Sequence, residues 1–118
     1  MKNLENYINE AKEYFYNKNN IIIYGGDHQI DRMFDRKIRR EIIEKTINKV
    51  IYKIIDLLYD NSISIGDEFI IRNKNTKPYL NLPMLYDSYK NSKHTFILKT
   101  GIYKNDFKTN NIFIDIYA

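Results

Sequence analysis

The sequence contains no cysteine among its 118 residues. Disulfide bonds and metal sites built from thiolates are therefore excluded. The sequence also lacks the apolar segment of a secretory signal peptide and any apolar run long enough to span a bilayer. We therefore expect a cytoplasmic location and no membrane partner.

Acidic residues are fewer than basic ones, 15 against 19, which gives a formal net charge of +4 at pH 7. This excess fits a polyanionic partner such as RNA but does not require one. An AT-rich gene explains the same basicity equally well, since its codons enrich a protein in Lys, Asn, Ile and Tyr. Bacterial and phage sources both fit this composition, so the expected location is the cytoplasm of a bacterial cell or of a phage-infected host. Residues 1–11 resemble the short N-terminal helices of tailed-phage proteins, some of which are packaged, and this resemblance makes the virion the alternative location.

No internal repeat, low-complexity tract or interdomain linker divides the chain, and 43% of its residues are hydrophobic. Length and composition therefore predict one domain over residues 1–118 with a single core. Apolar residues at helical spacing up to Phe15 predict an amphipathic N-terminal helix within residues 1–20. Residues 21–24 fit either a very short strand or a buried linker, which the Gly25-Gly26 pair ends.

Apolar residues keep a helical period through residues 27–60, a span longer than one typical globular helix. We expect a short helix that begins after Asp27 as its N-cap, and a bend near residues 35–37. A long helix then follows, from about Lys37 to Tyr59. Its apolar face, formed by Ile42, Ile43, Ile47, Val50, Ile54 and Leu58, is expected to pack against the inward sheet residues Phe69, Ile71, Phe96 and Leu98.

Residues 62–117 change to β-branched and aromatic residues with a period of two, which is typical of strands. The predicted strands are residues 62–65, 68–73, 79–86, 95–103 and 111–117. Their short connections predict antiparallel pairing. The fold class that follows is α+β, with N-terminal helices packed on one face of a four- to five-stranded antiparallel sheet.

One of the two histidines, His28, precedes Arg32 by four residues and Arg36 by eight. On a helix this spacing places the three side chains on one face. A histidine exchanges a proton near neutral pH and arginines hold phosphate, so the group suits phosphodiester chemistry or binding. Equally, the aspartates between these residues can neutralise the arginines, and the group is then an ordinary exposed helix face.

The second histidine, His94, opens a predicted strand. If it meets His28, the pair can act as base and acid in RNA cleavage without a metal. A half-exposed histidine at a strand edge, with no such role, is the commoner case. Arg72, Lys74 and Lys77 cluster around the turn after the second predicted strand, where they either stabilise a phosphate transition state or form a solvated loop. No tight His, Asp or Glu spacing indicates a metal site, so we expect neither a metal nor a cofactor.

Four segments carry a resemblance to a known family: His28-x3-Arg32-x3-Arg36-x-Ile38, Gly66-Asp67-Glu68-Phe69-Ile70-Ile71, Leu80-Asn81-Leu82 and Phe96-Ile97-Leu98-Lys99-Thr100. With the long helix, they resemble small bacterial and phage domains of the RelE-like and barnase/colicin-type ribonuclease superfamily, over about residues 25 to 117. The resemblance implies two N-terminal helices on a four-stranded antiparallel sheet, and metal-independent RNA cleavage. It implies that His28, Arg32 and Thr100 are site residues. Arg72 aligns only loosely, and Tyr103 and Lys104 are the nearest matches to the superfamily's C-terminal catalytic residue.

We therefore expect a metal-independent RNA-binding domain that acts as an endoribonuclease of the RelE/barnase type. Its expected catalytic residues are His28, Arg32 and Thr100, and its expected RNA-binding residues are Arg36, Arg72, Lys74, His94 and Lys104. The alternative is a non-enzymatic phage or bacterial protein that binds a protein partner, such as an antitoxin, a virion component or a host-defence protein that it inhibits. One pocket that holds His28, Arg32 and Thr100 favours the enzyme, whereas their dispersal favours the partner-binding protein.

Overall fold

Seven β-strands and one α-helix form the part of the chain that this computed structural model describes, residues 13–25 and 38–118. The strands are β1 (Glu13–Lys18), β2 (Ile21–Gly25), β3 (Glu68–Asn73), β4 (Leu80–Lys90), β5 (Lys93–Leu98), β6 (Ile102–Tyr103) and β7 (Ile112–Ile116). The helix, α1, spans Arg40–Tyr59 and lies between β2 and β3 in the sequence.

These strands form one mixed sheet in the order β1-β2-β5-β4-β3-β7, and β6 pairs with β4 beyond the end of β5. The antiparallel pairs are β1 with β2, β3 with β4, β4 with β5 and β4 with β6. The parallel pairs are β2 with β5 and β3 with β7. Each parallel pair joins strands that are distant in the sequence, because parallel neighbours need a long connection.

Two tight turns close the β1–β2 and β4–β5 hairpins. Both central residues of each turn have positive φ, 55° and 61° at Asn19 and Asn20, and 53° and 62° at Asn91 and Ser92. Two-residue hairpin loops favour this geometry because its twist matches that of the strands, and Asn adopts it more readily than most residues do. The local sequence therefore determines where each hairpin turns.

The core lies between α1 and one face of the sheet, which we call the helix face. The buried residues of α1 are Ile43, Thr46, Ile47, Val50, Ile51 and Ile54. The sheet contributes Ile21, Ile23, Phe69, Ile71, Leu80, Leu82, Met84, Tyr86, Phe96, Leu98, Ile114 and Ile116. One polar link crosses this core, because Asn73 Nδ2 donates a hydrogen bond to Thr46 Oγ1 at 3.0 Å.

The long helix and its buried face are confirmed. Ile43, Ile47, Val50 and Ile54 are buried, Ile42 and Leu58 pack against the core at its margin, and the expected sheet residues Phe69, Ile71, Phe96 and Leu98 lie in the same cluster. The strand predicted at residues 68–73 coincides with β3. Of the two alternatives for residues 21–24, the strand is observed, as β2.

The predicted fold class is wrong, because the described residues form a mixed seven-stranded sheet with one helix. The helix predicted within residues 1–20 is contradicted at Glu13–Lys18, which form β1. Aromatic residues in this segment suit a strand, and pairing with β2 outweighs the local helical spacing. Residues 1–12, and the short helix predicted to carry His28 and Arg32, lie outside the described residues.

Two predicted strands also need correction. Residues 62–65 form a loop, because Ser64 and Asp67 close a turn with two hydrogen bonds. Asp67 N donates to Ser64 O at 2.9 Å, and Ser64 N donates to Asp67 Oδ2 at 2.8 Å. The strand predicted at residues 95–103 is divided, since β5 ends at Leu98 and β6 begins at Ile102.

Candidate nucleic-acid interface

The turns of the two hairpins lie side by side at one end of the sheet. His94 N donates a hydrogen bond to Asn20 O at 2.8 Å, which joins the β4–β5 turn to the β1–β2 turn. Cross-strand pairing forms one row, in which Lys18 lies opposite Ile21, Ile21 opposite His94, and His94 opposite Tyr89. We call this region, residues 18–20 and 89–94, the hairpin end.

Four aromatic rings run from the core to the surface of the hairpin end. Phe96 stacks on Tyr86, with ring centroids 4.8 Å apart, and the Tyr86 hydroxyl lies 2.6 Å from His94 Nδ1. The His94 ring in turn lies 4.5 Å from the ring of Tyr89. Tyr89 is 51% exposed, so the outermost ring of this series is open to solvent.

A bulge in β4 places both tyrosines beside His94. Tyr86 pairs with Phe96, but the register shifts at Asp87, so that Ser88 pairs with Thr95 and Tyr89 with His94. Regular alternation would place residues three apart on opposite faces of a strand. The extra residue at the bulge brings Tyr86 and Tyr89 to the same face, where they contact the same imidazole.

The Tyr86 hydroxyl and the His94 imidazole stay neutral around pH 7. Burial lowers the pKa of His94 below its ordinary value. Burial, and to a lesser extent the neighbouring Tyr89, raise the pKa of Tyr86. The imidazole and the hydroxyl therefore share one hydrogen bond between uncharged partners. A neutral histidine next to an exposed tyrosine is a stacking surface rather than a cationic site.

Positive charge at the hairpin end comes from three exposed lysines, Lys18, Lys90 and Lys93. Lys18 shares the face of His94 through the cross-strand row, whereas Lys90 and Lys93 pair with each other on the opposite face. Like charges directly opposite each other across a strand pair are unfavourable. No salt bridge with a described acidic residue offsets this repulsion.

Two of the predicted RNA-binding residues, Arg72 and Lys74, belong to an internal ion pair. Arg72 donates two hydrogen bonds to the Asp115 carboxylate, at 2.7 and 2.9 Å, and its guanidinium lies 4.4 Å from the centre of the Phe113 ring. Lys74 Nζ lies 3.5 Å from the same carboxylate. The pair raises the pKa of Arg72 and lowers that of Asp115. Arg72 therefore ties β3 to β7, and its charge is already neutralised.

The structure separates the predicted site residues that it describes. Arg72 pairs with Asn81 near the start of β4, whereas His94 pairs with Tyr89 near its end. At the rise of an extended strand these positions are roughly 25 Å apart. Thr100 follows β5, and Lys104 follows β6 with its N–H bonded to Tyr79 O at 2.9 Å, so both lie toward the Asn81 end.

Of the predicted RNA-binding residues in the described ranges, His94 alone lies in the hairpin end. His28, Arg32 and Arg36 fall within residues 26–37 and thus outside the described residues. Sequence reasoning missed Tyr86, the last residue of the third predicted strand, and it missed Tyr89, Lys90 and Lys93, which lie beyond the end of that strand. The turn sequence Asn91-Ser92 between two lysines was the available signal, since Asn is typical of two-residue hairpin loops.

Within residues 13–25 and 38–118, no group of three or more His, Cys, Asp or Glu side chains is arranged to hold a metal ion. No helix in the described residues is both long and apolar enough to cross a membrane. Comparison with known proteins finds no family model, no curated protein and no solved structure that matches this chain. The resemblance to the RelE/barnase superfamily therefore stays a prediction.

Proposed function

We propose that this protein binds single-stranded RNA through the hairpin end of its sheet. The observation that carries the proposal is the exposed Tyr89 ring on a neutral His94, with Lys18 on the same face of the sheet and Lys90 and Lys93 on the opposite face beside the turn. Aromatic rings that stack on unpaired bases, next to cations that follow the phosphates, are the usual elements of single-strand binding.

Stacking supplies the first part of the expected affinity. A base on an aromatic side chain contributes about 1–3 kcal/mol by alanine substitution, and the contribution tolerates any base. Tyr89 is anchored for this role, because its inner neighbour His94 is itself held by the buried Tyr86. The surface therefore loses little conformational freedom when a base stacks on it.

The lysines of the hairpin end supply the second part of the expected affinity for RNA. Each cation that neutralises a phosphate of a single strand releases counterions, which makes the binding constant fall with salt by about 0.7 logarithmic units per tenfold increase in salt. A bound phosphate chain would also relieve the repulsion between Lys90 and Lys93, which face each other across β4 and β5. Exposed Asn19, Asn20 and Asn91 can donate and accept hydrogen bonds beside the strand.

The proposal is limited to binding. Metal-independent cleavage needs a general base and a general acid on either side of the phosphate. Arg72, Lys74, Thr100 and Lys104, the other predicted site residues in the described ranges, lie toward the opposite end of β4 from His94. The cleavage predicted from the sequence therefore has no support from these residues, and it is measured in the same experiment.

The experiment measures fluorescence anisotropy of labelled single-stranded RNA, single-stranded DNA and duplex RNA with the purified protein, in chelator and at several salt concentrations. Tyr89→Ala should weaken RNA binding by roughly 5- to 150-fold, the equivalent of losing one stacked base. Tyr89→Phe should retain the affinity, because it keeps the ring. Tyr52→Ala is the matched control, since Tyr52 is 72% exposed on α1.

A second pair of variants tests the charges. Lys90→Ala with Lys93→Ala should reduce the salt slope by about 1.4, whereas Lys104→Ala, an exposed lysine at the other end, should leave it unchanged. RNA that is bound equally well by the Tyr89→Ala protein, or no salt-sensitive binding at all, would refute the proposal. Gel analysis of the same mixtures detects cleavage.

A further inference from the structure

A groove lies between the second half of α1 and the edge strand β7, on the helix face of the sheet. Its volume is about 970 Å³. The floor is apolar, with Leu57, Ile63, Phe69 and Ile114 among its residues, and Ile112 at the rim is 66% exposed. Exposed apolar surface inside a concave site is typical of a place where another molecule binds.

One wall of the groove is a strand edge. Among the described strands, β7 is last in the sheet order and pairs on one side only, with β3. Ile116 O points toward β3, because it accepts a hydrogen bond from Lys74 N, and backbone groups alternate along a strand. The outward carbonyl of Asp115 accepts from Lys53 Nζ of α1 at 2.8 Å. An edge strand beside a groove has the geometry for addition of one more strand.

The rim of the groove carries five carboxylates and one lysine, Lys53, in a chain whose formal net charge is +4. Three of its carboxylates have partners: Glu68 pairs with Lys99, Asp115 with Arg72, and Asp67 accepts from Ser64 N. Asp56 and Asp60 pair with no described cation. These two carboxylates are the source of negative potential at the rim.

The positions of Asp56 and Asp60 are unfavourable for the isolated helix. They are four residues apart near the C-terminal end of α1, where the helix dipole is negative, and the last turn contains no basic residue. Like charges at this spacing repel each other, and the dipole disfavours an anion at this end. A cation from another molecule would remove both penalties.

We propose that this groove binds an extended segment of a partner protein that carries alternating apolar and basic residues. The segment adds as a strand to the outer edge of β7, where its backbone replaces Lys53 as the partner of the Asp115 carbonyl. Its apolar side chains cover Ile112 and the groove floor, and its lysines or arginines pair with Asp56 and Asp60. The site is separate from the hairpin end, since β4 and β3 lie between β5 and β7.

Electrostatic charge decides which kind of molecule binds in the groove: a nucleic acid, a second copy of this chain or a basic segment of another protein. A nucleic acid would bring phosphates against the unpaired carboxylates, which is repulsive. A second copy paired symmetrically through β7 would set the Asp56 and Asp60 rim of each copy close to that of the other. A basic segment of a different protein is favoured by both the carboxylates and the apolar floor.

The test uses synthetic peptides as probes of the full chain, by isothermal calorimetry and by amide chemical shifts. An alternating Lys/Val peptide should bind and shift the amides of β7, whereas the same peptide with Glu for Lys, or with a central Pro, should not. Asp56→Asn with Asp60→Asn should weaken binding at least tenfold. Asp87→Asn, an exposed acid in the β4 bulge, is the matched control and should change nothing.

Folding controls keep the test decisive. The Asp56→Asn and Asp60→Asn protein should melt at the parent temperature or above it, because a repulsion has been removed. Ile112→Lys should block the peptide without affecting the fold, since Ile112 is exposed. Peptide binding that survives both changes would overturn the proposal. A parent dimer in light scattering that Ile112→Lys dissociates would also overturn it, because a second copy would then occupy the groove.

Discussion

At the scale of the residue, Asn73 links separate parts of the molecule through one side chain. It is 1% exposed, and its Nδ2 donates to Thr46 Oγ1 of α1 at 3.0 Å. Its Oδ1 accepts from Asn75 N at 3.0 Å and from Ala118 N at 3.2 Å. The helix, the end of β3 and the C-terminal residues are therefore held by one amide.

Replacing Asn73 should destabilise the fold. Asn73→Ala removes the hydrogen bonds that Thr46 Oγ1, Asn75 N and Ala118 N make with this amide, while Thr46 keeps its own bond to Ile42 O. An unsatisfied buried group costs about 1–3 kcal/mol. Urea unfolding measures the loss. Asn48→Ala, on the exposed side of α1, is the control and should have little effect. Equal stabilities for the two variants would contradict the role of the Asn73 amide.

His94 should make stability depend on pH in a defined window. Its pKa in the folded protein lies below its ordinary value of 6.5 because of burial. As the pH falls below 6.5, the unfolded chain takes up a proton that folded His94 does not, so the unfolded state is favoured. Stability should therefore fall from pH 6.5 down to the folded pKa, below which His94 contributes no further change.

The measurement is the urea midpoint of the parent and of His94→Gln between pH 5 and pH 8. The slope near and below pH 6.5 should flatten in the variant, because Gln does not titrate. Tyr89→Phe is the matched control, since it keeps a ring against His94 and should preserve the slope. A parent without any slope in this range would show that His94 titrates normally.

At the scale of the element, α1 is stabilised by its buried face. Ile47 is 0% exposed and packs within the central cluster. Ile47→Ala should cost about 2–5 kcal/mol, because it removes buried methyl groups and leaves a cavity. Thermal and urea unfolding test this loss. Tyr52→Ala, at a position of the same helix that is 72% exposed, should stay close to the parent.

Backbone strain in the turn of the β4–β5 hairpin lowers the stability of the fold. Ser92 has a φ of 62°, which costs a side-chain-bearing residue roughly 1–2 kcal/mol. Ser92→Gly should therefore raise stability by up to about 1 kcal/mol, after the greater flexibility of glycine in the unfolded chain is subtracted. Ser62→Gly is the control, because Ser62 is not among the residues with positive φ, and it should lower stability. A destabilised Ser92→Gly protein would contradict this account.

At the scale of the whole molecule, the fold separates charges of opposite sign. The lysines of the hairpin end lie beside β5, and the unpaired carboxylates of α1 lie beside β7, with β4 and β3 between the two strands. At normal strand spacing, β5 and β7 are about 14 Å apart, more than a Debye length at physiological salt. The two proposed surfaces should therefore act independently.

Independent action gives a further prediction. Lys90→Glu with Lys93→Glu should abolish RNA binding and leave the affinity for the Lys/Val peptide unchanged. Asp56→Asn with Asp60→Asn should weaken binding of the Lys/Val peptide and leave the affinity for RNA unchanged. The measurement is RNA anisotropy with and without saturating peptide. Mutual exclusion of RNA and peptide would show that they share one surface.

The sequence by itself determined the local elements whose signal is periodic. The span of α1, its buried face and β3 all follow from the spacing of apolar residues, which depends only on near neighbours in the chain. The signal failed at residues 13–18, where helical spacing coexists with aromatic residues and only pairing with β2 selects the strand. Sequence reasoning also identified His94, but not Tyr89, Lys90 and Lys93, which lie beside it at the hairpin end.

The tertiary structure alone decided the topology and the sites. Parallel pairing of β2 with β5 placed two hairpin turns together, and the β4 bulge turned Tyr86 and Tyr89 toward one histidine. Parallel pairing of β3 with β7 placed Arg72 opposite Asp115, with which it forms an ion pair. The same pairing placed the outer edge of β7 beside the helix. Such contacts join residues distant in sequence, and their choice depends on the packing of the whole core, which no local period encodes.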